Sequence, residues 1–331
     1  MPVMKENDIR PADLFAQYLE LSAQDARAFF SKSPRQPIPC PACDREAFEP
    51  AFTKLGFDYV TCAGCGTLYQ SPRPPEADFE KFYAQSPSAE FWAKTFFPAV
   101  AEARREHLFR PKVLEVSRLC ERSGFRPQSV VDVGAGYGLF LEEWLKLDSG
   151  ARAVAIEPHG DQAEVCRRKG LEVQECFANQ ATALSGQMDL AVSLEVLEHA
   201  YSPLAFCQSI YELLRPGGRA LLTTLTVTGF DIQLLWERSK SVSPPHHLNF
   251  LSVVGAERLL ERAGFAEVEV FTPGKLDVDI VKNALEEDEI LRREARFART
   301  LIQAGEAARN AFQRFLSDNR LSSHCWIWAR K

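Results

Sequence analysis

The chain has 331 residues, of which 46% are hydrophobic and 25% charged, and a formal net charge of −6. That is ordinary globular composition, enough for one large domain with additions or for two domains. No apolar run is long enough to span a bilayer, MPVMKENDIRP lacks the apolar stretch of a signal peptide, and no dense Lys/Arg block marks a nucleic-acid footprint; a cytoplasmic protein with no membrane partner is expected, with nucleic acid disfavoured as a partner but not excluded.

Residues 11–31 place Leu14, Tyr18, Leu21 and Phe29 at helical spacing, which predicts a docking helix inside an N-terminal segment 1–35. CPAC (40–43) and CAGCG (62–66) then form C-x2-C, eighteen residues, C-x2-C. Each Cys-x-x-Cys turn offers two thiolates, so Cys40, Cys43, Cys62 and Cys65 together complete a tetrahedral zinc set. A single such pair also suits redox chemistry; two at this spacing favour the metal. Gly64 and Gly66 suit a tight second turn, and FEPAFTKLGFDYVTC reads as short strands around a turn, so 36–75 is expected to be a zinc ribbon. Four sulfur ligands leave no open position, which makes the zinc structural. The other five cysteines read as small buried apolar residues. From 76 to 125 a helical stretch carries Phe82, Tyr83, Phe91, Trp92, Phe96 and Phe97, aromatics whose ordinary place is a core.

SVVDVGAGYGLF (129–140) joins a β-branched strand, a glycine turn and the start of a helical pattern. This is how an α/β sheet presents a cofactor at the carboxyl ends of its strands. A dinucleotide fingerprint fails because Leu139 stands where a third glycine belongs after Gly134 and Gly136, and the Gly-Lys-Ser/Thr of a phosphate loop is absent. Asp132, inside the strand, would repel phosphate and suits a cationic ligand, a sulfonium with an amino group. S-adenosylmethionine is therefore favoured over NAD. ARAVAIEP (151–158) ends a second strand in Glu157, placed to accept hydrogen bonds from two ribose hydroxyls. Further strands are expected near 171–176, 188–194, 219–226, 266–272 and 323–329, with LLRPGG turning on Pro216-Gly217-Gly218. Residues 284–317 read as a long amphipathic helix or helix pair, which would either cover a substrate site or form a homodimer surface.

Carried by VVDVGAGYG, AVAIEP, MDLAVSLEVLEH and LLRPGG, in that order, the chain resembles the class I S-adenosylmethionine-dependent methyltransferases. With CPAC…CAGCGTLYQSPRP ahead of them, it is similar to the zinc-ribbon methyltransferases of sugar and polysaccharide pathways. The resemblance implies an α/β class: a Rossmann-like, seven-stranded, mostly parallel sheet with an antiparallel last strand, plus the ribbon, a helical lid and a helical insertion. The cofactor domain would comprise 126–283 and 319–331, the lid 76–125 and the insertion 284–318. It implies Asp132, Gly134, Gly136 and Gly138 at the methionine end of the cofactor, Glu157 at the ribose, and Leu194 and Glu195 near the sulfonium; where the family often has an Asp for the adenine amine this chain has ECFAN, and Phe177 is the candidate to pack on the adenine face instead. Tyr83 on the lid becomes a substrate contact.

Methyl transfer to a hydroxyl or activated carbon needs a base that works near neutrality, and His has the right unperturbed pKa. SPPHHLNF (243–250) supplies two, His246 and His247, in the loop beyond the fifth strand, stiffened by Pro244 and Pro245. In an extended segment neighbouring side chains point opposite ways, so one ring would face the acceptor. C-methyltransferases that resemble this chain carry Glu-His here. His247 keeps the His, and His246 in place of Glu tilts the reading from carbon toward oxygen methylation. A packed loop histidine, or a second metal ligand, is the plainer alternative. His199 of LEVLEHA is a further catalytic candidate, and Arg238 and Lys240 are candidates for a phosphate on the acceptor. The expected activity is O-methylation of a small molecule, a nucleotide-linked sugar first; sugar C-methylation, RNA methylation and a non-catalytic cofactor-binding scaffold are the alternatives.

Overall fold

The computed structural model describes residues 5–331. Met1–Met4, the start of both the 1–35 segment and MPVMKENDIRP, lie outside the described residues. The strands are β1 (Phe48–Lys54), β2 (Phe57–Cys62), β3 (Leu68–Gln70), β4 (Ser129–Val133), β5 (Arg152–Ile156), β6 (Glu172–Gln174), β7 (Met188–Leu194), β8 (Leu214–Leu225), β9 (Asn249–Phe250), β10 (Ala266–Phe271) and β11 (His324–Arg330). The chain divides into two compact units, each built from separate segments.

The first unit holds residues up to Ala101, Leu225–Gly255 and Phe271–Cys325. Its helix Ala12–Phe30 buries Phe15, Tyr18, Ala26 and Phe30. The stripe is rotated by one residue from the Leu14/Leu21/Phe29 face because Ser22 and Asp25 also lie inside, Asp25 accepting the Ser88 N–H at 2.8 Å. Phe82 and Phe96 are fully buried, as aromatics at that spacing ordinarily are. The ribbon is an antiparallel sheet in the order β1-β2-β3-β9. Its fourth strand, two residues of SPPHHLNF, pairs Tyr69 with Asn249 and Leu68 with Phe250. Where one long helix or a pair was expected, four short helices stand: Asp277–Glu287, Glu289–Glu294, Arg296–Gln303 and Glu306–Asp318. The breaks are chemical. Asp288 caps the second helix by accepting the Leu291 N–H, and Gly305 takes φ +96° ahead of the fourth.

The second unit holds Glu102–Thr224, Ala256–Val270 and Trp326–Lys331. The helical stretch 76–122 thus changes unit at Ala101. The seven-stranded sheet runs β10-β11-β8-β7-β4-β5-β6, with β8, β7, β4, β5 and β6 parallel. β11 runs antiparallel to β8: the Gly217 N–H meets the Lys331 carbonyl at one end and the Thr226 N–H meets the Ser323 carbonyl at the other. SVVDV is buried along its whole length, as a central parallel strand covered on both faces must be. One detail differs from expectation. Pro216-Gly217-Gly218 does not precede β8 but bulges within it, so that the partner of Leu214 is Met188 and that of Arg219 is only Leu190.

Candidate active site

In the second unit the chemistry collects where the parallel strands end, as in other open α/β sheets. Beyond β4, Gly134, Gly136 and Gly138 all take positive φ, 78°, 55° and 69°. Two of them also lack room for a side chain: a Cβ on Gly134 would stand 2.6 Å from Val196 Cγ2, and one on Gly138 2.6 Å from Leu171 Cδ1. The turn is anchored by Glu157 after β5, whose carboxylate accepts the N–H groups of Gly136 (2.7 Å) and His159 (2.9 Å). Each oxygen keeps a further lone pair for a hydroxyl donor. Burial pushes the Glu157 carboxyl up, and the two N–H groups partly offset this.

Asp132 is 2% exposed, and its Oδ1 has no hydrogen-bond partner. Burial, and then the nearby Glu157, push its pKa up to about 8. A buried carboxyl oxygen without a partner is costly, and a cationic ligand is the chemistry that would relieve it. Phe177 stands 58% exposed, three residues beyond β6. Leu194 ends β7, and Glu195 follows in a left-handed conformation, φ +58°. His199 closes the short turn Leu197–His199 and is half-buried.

Sequence reasoning missed two neighbours of Glu195. Lys112 is 8% exposed and donates to Glu195 Oε1 (3.2 Å) and Thr223 Oγ1 (3.4 Å). Its signal was available: it lies four residues before Val116 on the buried stripe of helix Arg110–Arg122, where a cation needs a reason. Glu198, 2% exposed, accepts the Thr224 hydroxyl at 2.9 Å, and burial followed by the charge of Glu195 raises it to about 8.

In the first unit the twin histidines sit in a turn, not in the extended segment expected, with a cis Pro244–Pro245 bond and the His247 N–H on the Ser243 carbonyl. Their rings still part company. His246 is 4% exposed, packed among Tyr18, Phe82 and Tyr83, with Nε2 3.2 Å from Ser88 Oγ. His247 is half-buried, edge-on to Phe250, with Nδ1 2.6 Å from the Ser241 carbonyl. A carbonyl only accepts, so Nδ1 carries the proton and Nε2 is the basic nitrogen. Tyr83 donates its hydroxyl to the His246 carbonyl. Arg238 pairs with Glu294 (3.2 Å) and Lys240 with Glu287 (2.6 Å), so both cations already face carboxylates.

The ribbon brings Cys40, Cys43, Cys62 and Cys65 together, all four sulfurs within 4.8 Å of one another. Cys40 Sγ lies 3.6 Å from Cys65 Sγ and Cys43 Sγ 3.5 Å from Cys62 Sγ, so each turn pairs with the other. The Gly64 N–H donates to Cys62 Sγ, and the neighbouring Cys40 thiol holds Cys65 toward the thiolate.

Comparison with known proteins bears on the second unit. A family model described as "Methyltransferase domain" matches residues 102–270, half of the chain. Among curated proteins, the chain is 35% identical over 130 residues to a ubiquinone biosynthesis O-methyltransferase of Xanthomonas oryzae pv. oryzae, covering 37% of this chain and 52% of that one. It is 28% identical over 190 residues to the protein of that name from Dinoroseobacter shibae, covering 51% and 75%. The chain thus spans about half the length of the first curated relatives it matches. Among solved structures, the plantazolicin methyltransferase BamL, in complex with a triazolic desmethylPZN analog and SAH, aligns with a TM-score of 0.50 at 10% identity, over 76% of this chain and 93% of that one; this likeness is one of fold. The family match opens at Glu102 and closes at Val270, where segments of the unit carrying the glycine turn also begin and end, and the chain belongs to the methyltransferase domain family.

Proposed function

We propose that the protein is an S-adenosylmethionine-dependent O-methyltransferase of a small molecule, with His247 as general base and a structural zinc in the ribbon. The observation that carries this reading is the buried, unpartnered Oδ1 of Asp132 beside a glycine turn tied down by Glu157. S-adenosylmethionine supplies the methyl group and its sulfonium leaving group. Asp132 would meet the cationic methionine end, Glu157 the ribose hydroxyls, and Phe177 would lie on the adenine. Leu194 and Glu195 would border the sulfonium, and His247 Nε2 would take the acceptor's proton. His199 and His246 remain secondary candidates for orienting the acceptor.

An oxygen acceptor agrees with the names of the curated relatives. A nucleotide-linked sugar is the first acceptor class on the ribbon-plus-methyltransferase arrangement, and a quinone-pathway hydroxyl, on those same names, is the second. The ion pairs of Arg238 and Lys240 weigh against their meeting a diphosphate. For zinc, the fit is metrical. Zinc–sulfur bonds of about 2.3 Å put tetrahedral sulfurs about 3.8 Å apart, close to the 3.5 and 3.6 Å found.

Methyl-labelled cofactor incubated with nucleotide sugars and with phenols tests the reading by mass spectrometry. Label on a sugar or phenol oxygen supports it, and label on carbon or on RNA overturns it. Glu157→Ala should weaken cofactor binding at least tenfold by isothermal titration; unchanged affinity would remove the ribose role. Asp132 adds a pH signature. Its pKa is raised from 3.8 unfolded to about 8 folded, so the folded state holds the proton and stability falls as pH rises across that window. Asp132→Asn stays neutral, so its melting temperature should pull ahead of wild type between pH 5 and pH 8, by more than about 5 °C. A constant gap would mean Asp132 titrates normally.

A further inference from the structure

We infer that the cysteine ribbon serves the reaction by positioning the His247 base, with Tyr59 as the positioning residue; this rests on the reading of His247 as that base. The ribbon spends its buried polar groups on the histidine loop. Tyr59, 1% exposed on β2, donates its hydroxyl to the His247 carbonyl at 2.7 Å. Gln70, fully buried on β3, donates Nε2 both to that hydroxyl (3.1 Å) and to the same carbonyl (3.3 Å), and its backbone N–H bonds the Leu248 carbonyl at 3.0 Å. Arg73, 2% exposed, places its guanidinium 2.9 Å from Asn249 Oδ1. At the loop's other end, Lys54 of β1 donates to the Ser239 carbonyl at 2.7 Å, and Phe52 meets the Trp236 ring edge-on.

The bonds to the His247, Leu248 and Ser239 carbonyls fix backbone, and the backbone fixes the ring. The Ser241 carbonyl that sets the His247 tautomer and the Phe250 ring that its edge packs on belong to the same gripped segment. A buried donor set aimed at one short loop goes beyond what folding a ribbon requires. Orientation is where such rigidity is repaid: misplacing a reacting group by an ångström can cost about a hundredfold in rate. Tyr59 touches no reacting atom and acts through His247.

Tyr59→Phe keeps the ring against Phe52 and deletes only the hydroxyl. The expected result is a kcat lower by ten- to a hundredfold, with acceptor KM, cofactor affinity, cofactor stoichiometry and zinc content within twofold of wild type. The acid limb of the pH profile should persist, because the base itself is unchanged. By NMR of labelled histidine, the His247 imidazole should shift in Tyr59→Phe and stay in place in Thr53→Val, an exposed ribbon hydroxyl that donates to Asp58. Unchanged kcat and an unmoved imidazole in Tyr59→Phe, alongside an inactive His247→Ala, overturn the positioning role alone. Wild-type turnover in His247→Ala overturns the base reading on which it stands. A reduced stoichiometry of cofactor binding in Tyr59→Phe assigns the loss to unfolding and likewise overturns positioning; Gln70→Met, which removes the second donor to the same carbonyl, repeats the readouts.

Discussion

His247→Ala should lower turnover by about 10²- to 10⁴-fold, the usual worth of a placed general base, while cofactor affinity stays within twofold. The Ser241 carbonyl at 2.6 Å leaves the ring with its proton on Nδ1 and its lone pair on Nε2. Alanine removes the only nitrogen that this tautomer offers as an acceptor at that place. The acid limb of the kcat–pH profile should vanish with it. His246→Ala should behave otherwise. Its ring fills a space between Tyr18, Phe82 and Tyr83, so the loss is one of packing, about 2–4 kcal/mol of stability, with a pH profile of unchanged shape. Identical profiles in both variants, each with wild-type kcat, would dismiss the pair from catalysis.

Cys62→Ser should abolish the expected one equivalent of zinc and leave the ribbon unfolded. Zinc contributes about 10–16 kcal/mol in units of this size, and the ribbon has little else. The first three residues of β1 are exposed, and its apolar core is confined to residues such as Phe57, Tyr59, Val60 and Leu68. The measurement is metal content of protein purified without chelator, followed by limited proteolysis. Cleavage should appear between residues 40 and 75 and also in 236–250, because β3 is the partner of β9. Stoichiometric zinc in the variant, or none in wild type, would overturn the assignment.

The sheet of the second unit was legible because its inner strands are continuous apolar, β-branched runs that end in glycine or an acid. SVVDV, RAVAI and MDLAVSL each lie within a residue or so of where the pattern puts them. The cysteine cluster was legible for the same reason: each Cys-x-x-Cys turn is local. What escaped was non-local. Two residues, Asn249 and Phe250, have no periodicity, and nothing near them reveals a partner on the ribbon. The break at Asp288 is a cap bond written in one residue, easily lost inside an amphipathic run. Glu198 was overlooked beside the more conspicuous His199, although a carboxyl three residues after Glu195 in a tight turn brings two acids together. Arg238 and Lys240 looked available because their carboxylate partners lie 56 and 47 residues away.

The strand pairing that completes the ribbon also dictates an order of synthesis. Tyr59 meets His247 across 188 residues, so a nascent chain that has released all four cysteines has not yet made the strand they are folded against. Residues Glu102–Thr224 of the glycine-turn unit must leave the ribosome first, and the long loop closure belongs to the slow class of β pairings. Until then β3 is an open edge, the kind that recruits other strands. Grafting the ribbon elsewhere by cutting at residues 36 and 75 would export that edge permanently. The transferable piece is instead two fragments, the ribbon together with 236–250, joined by a new short linker.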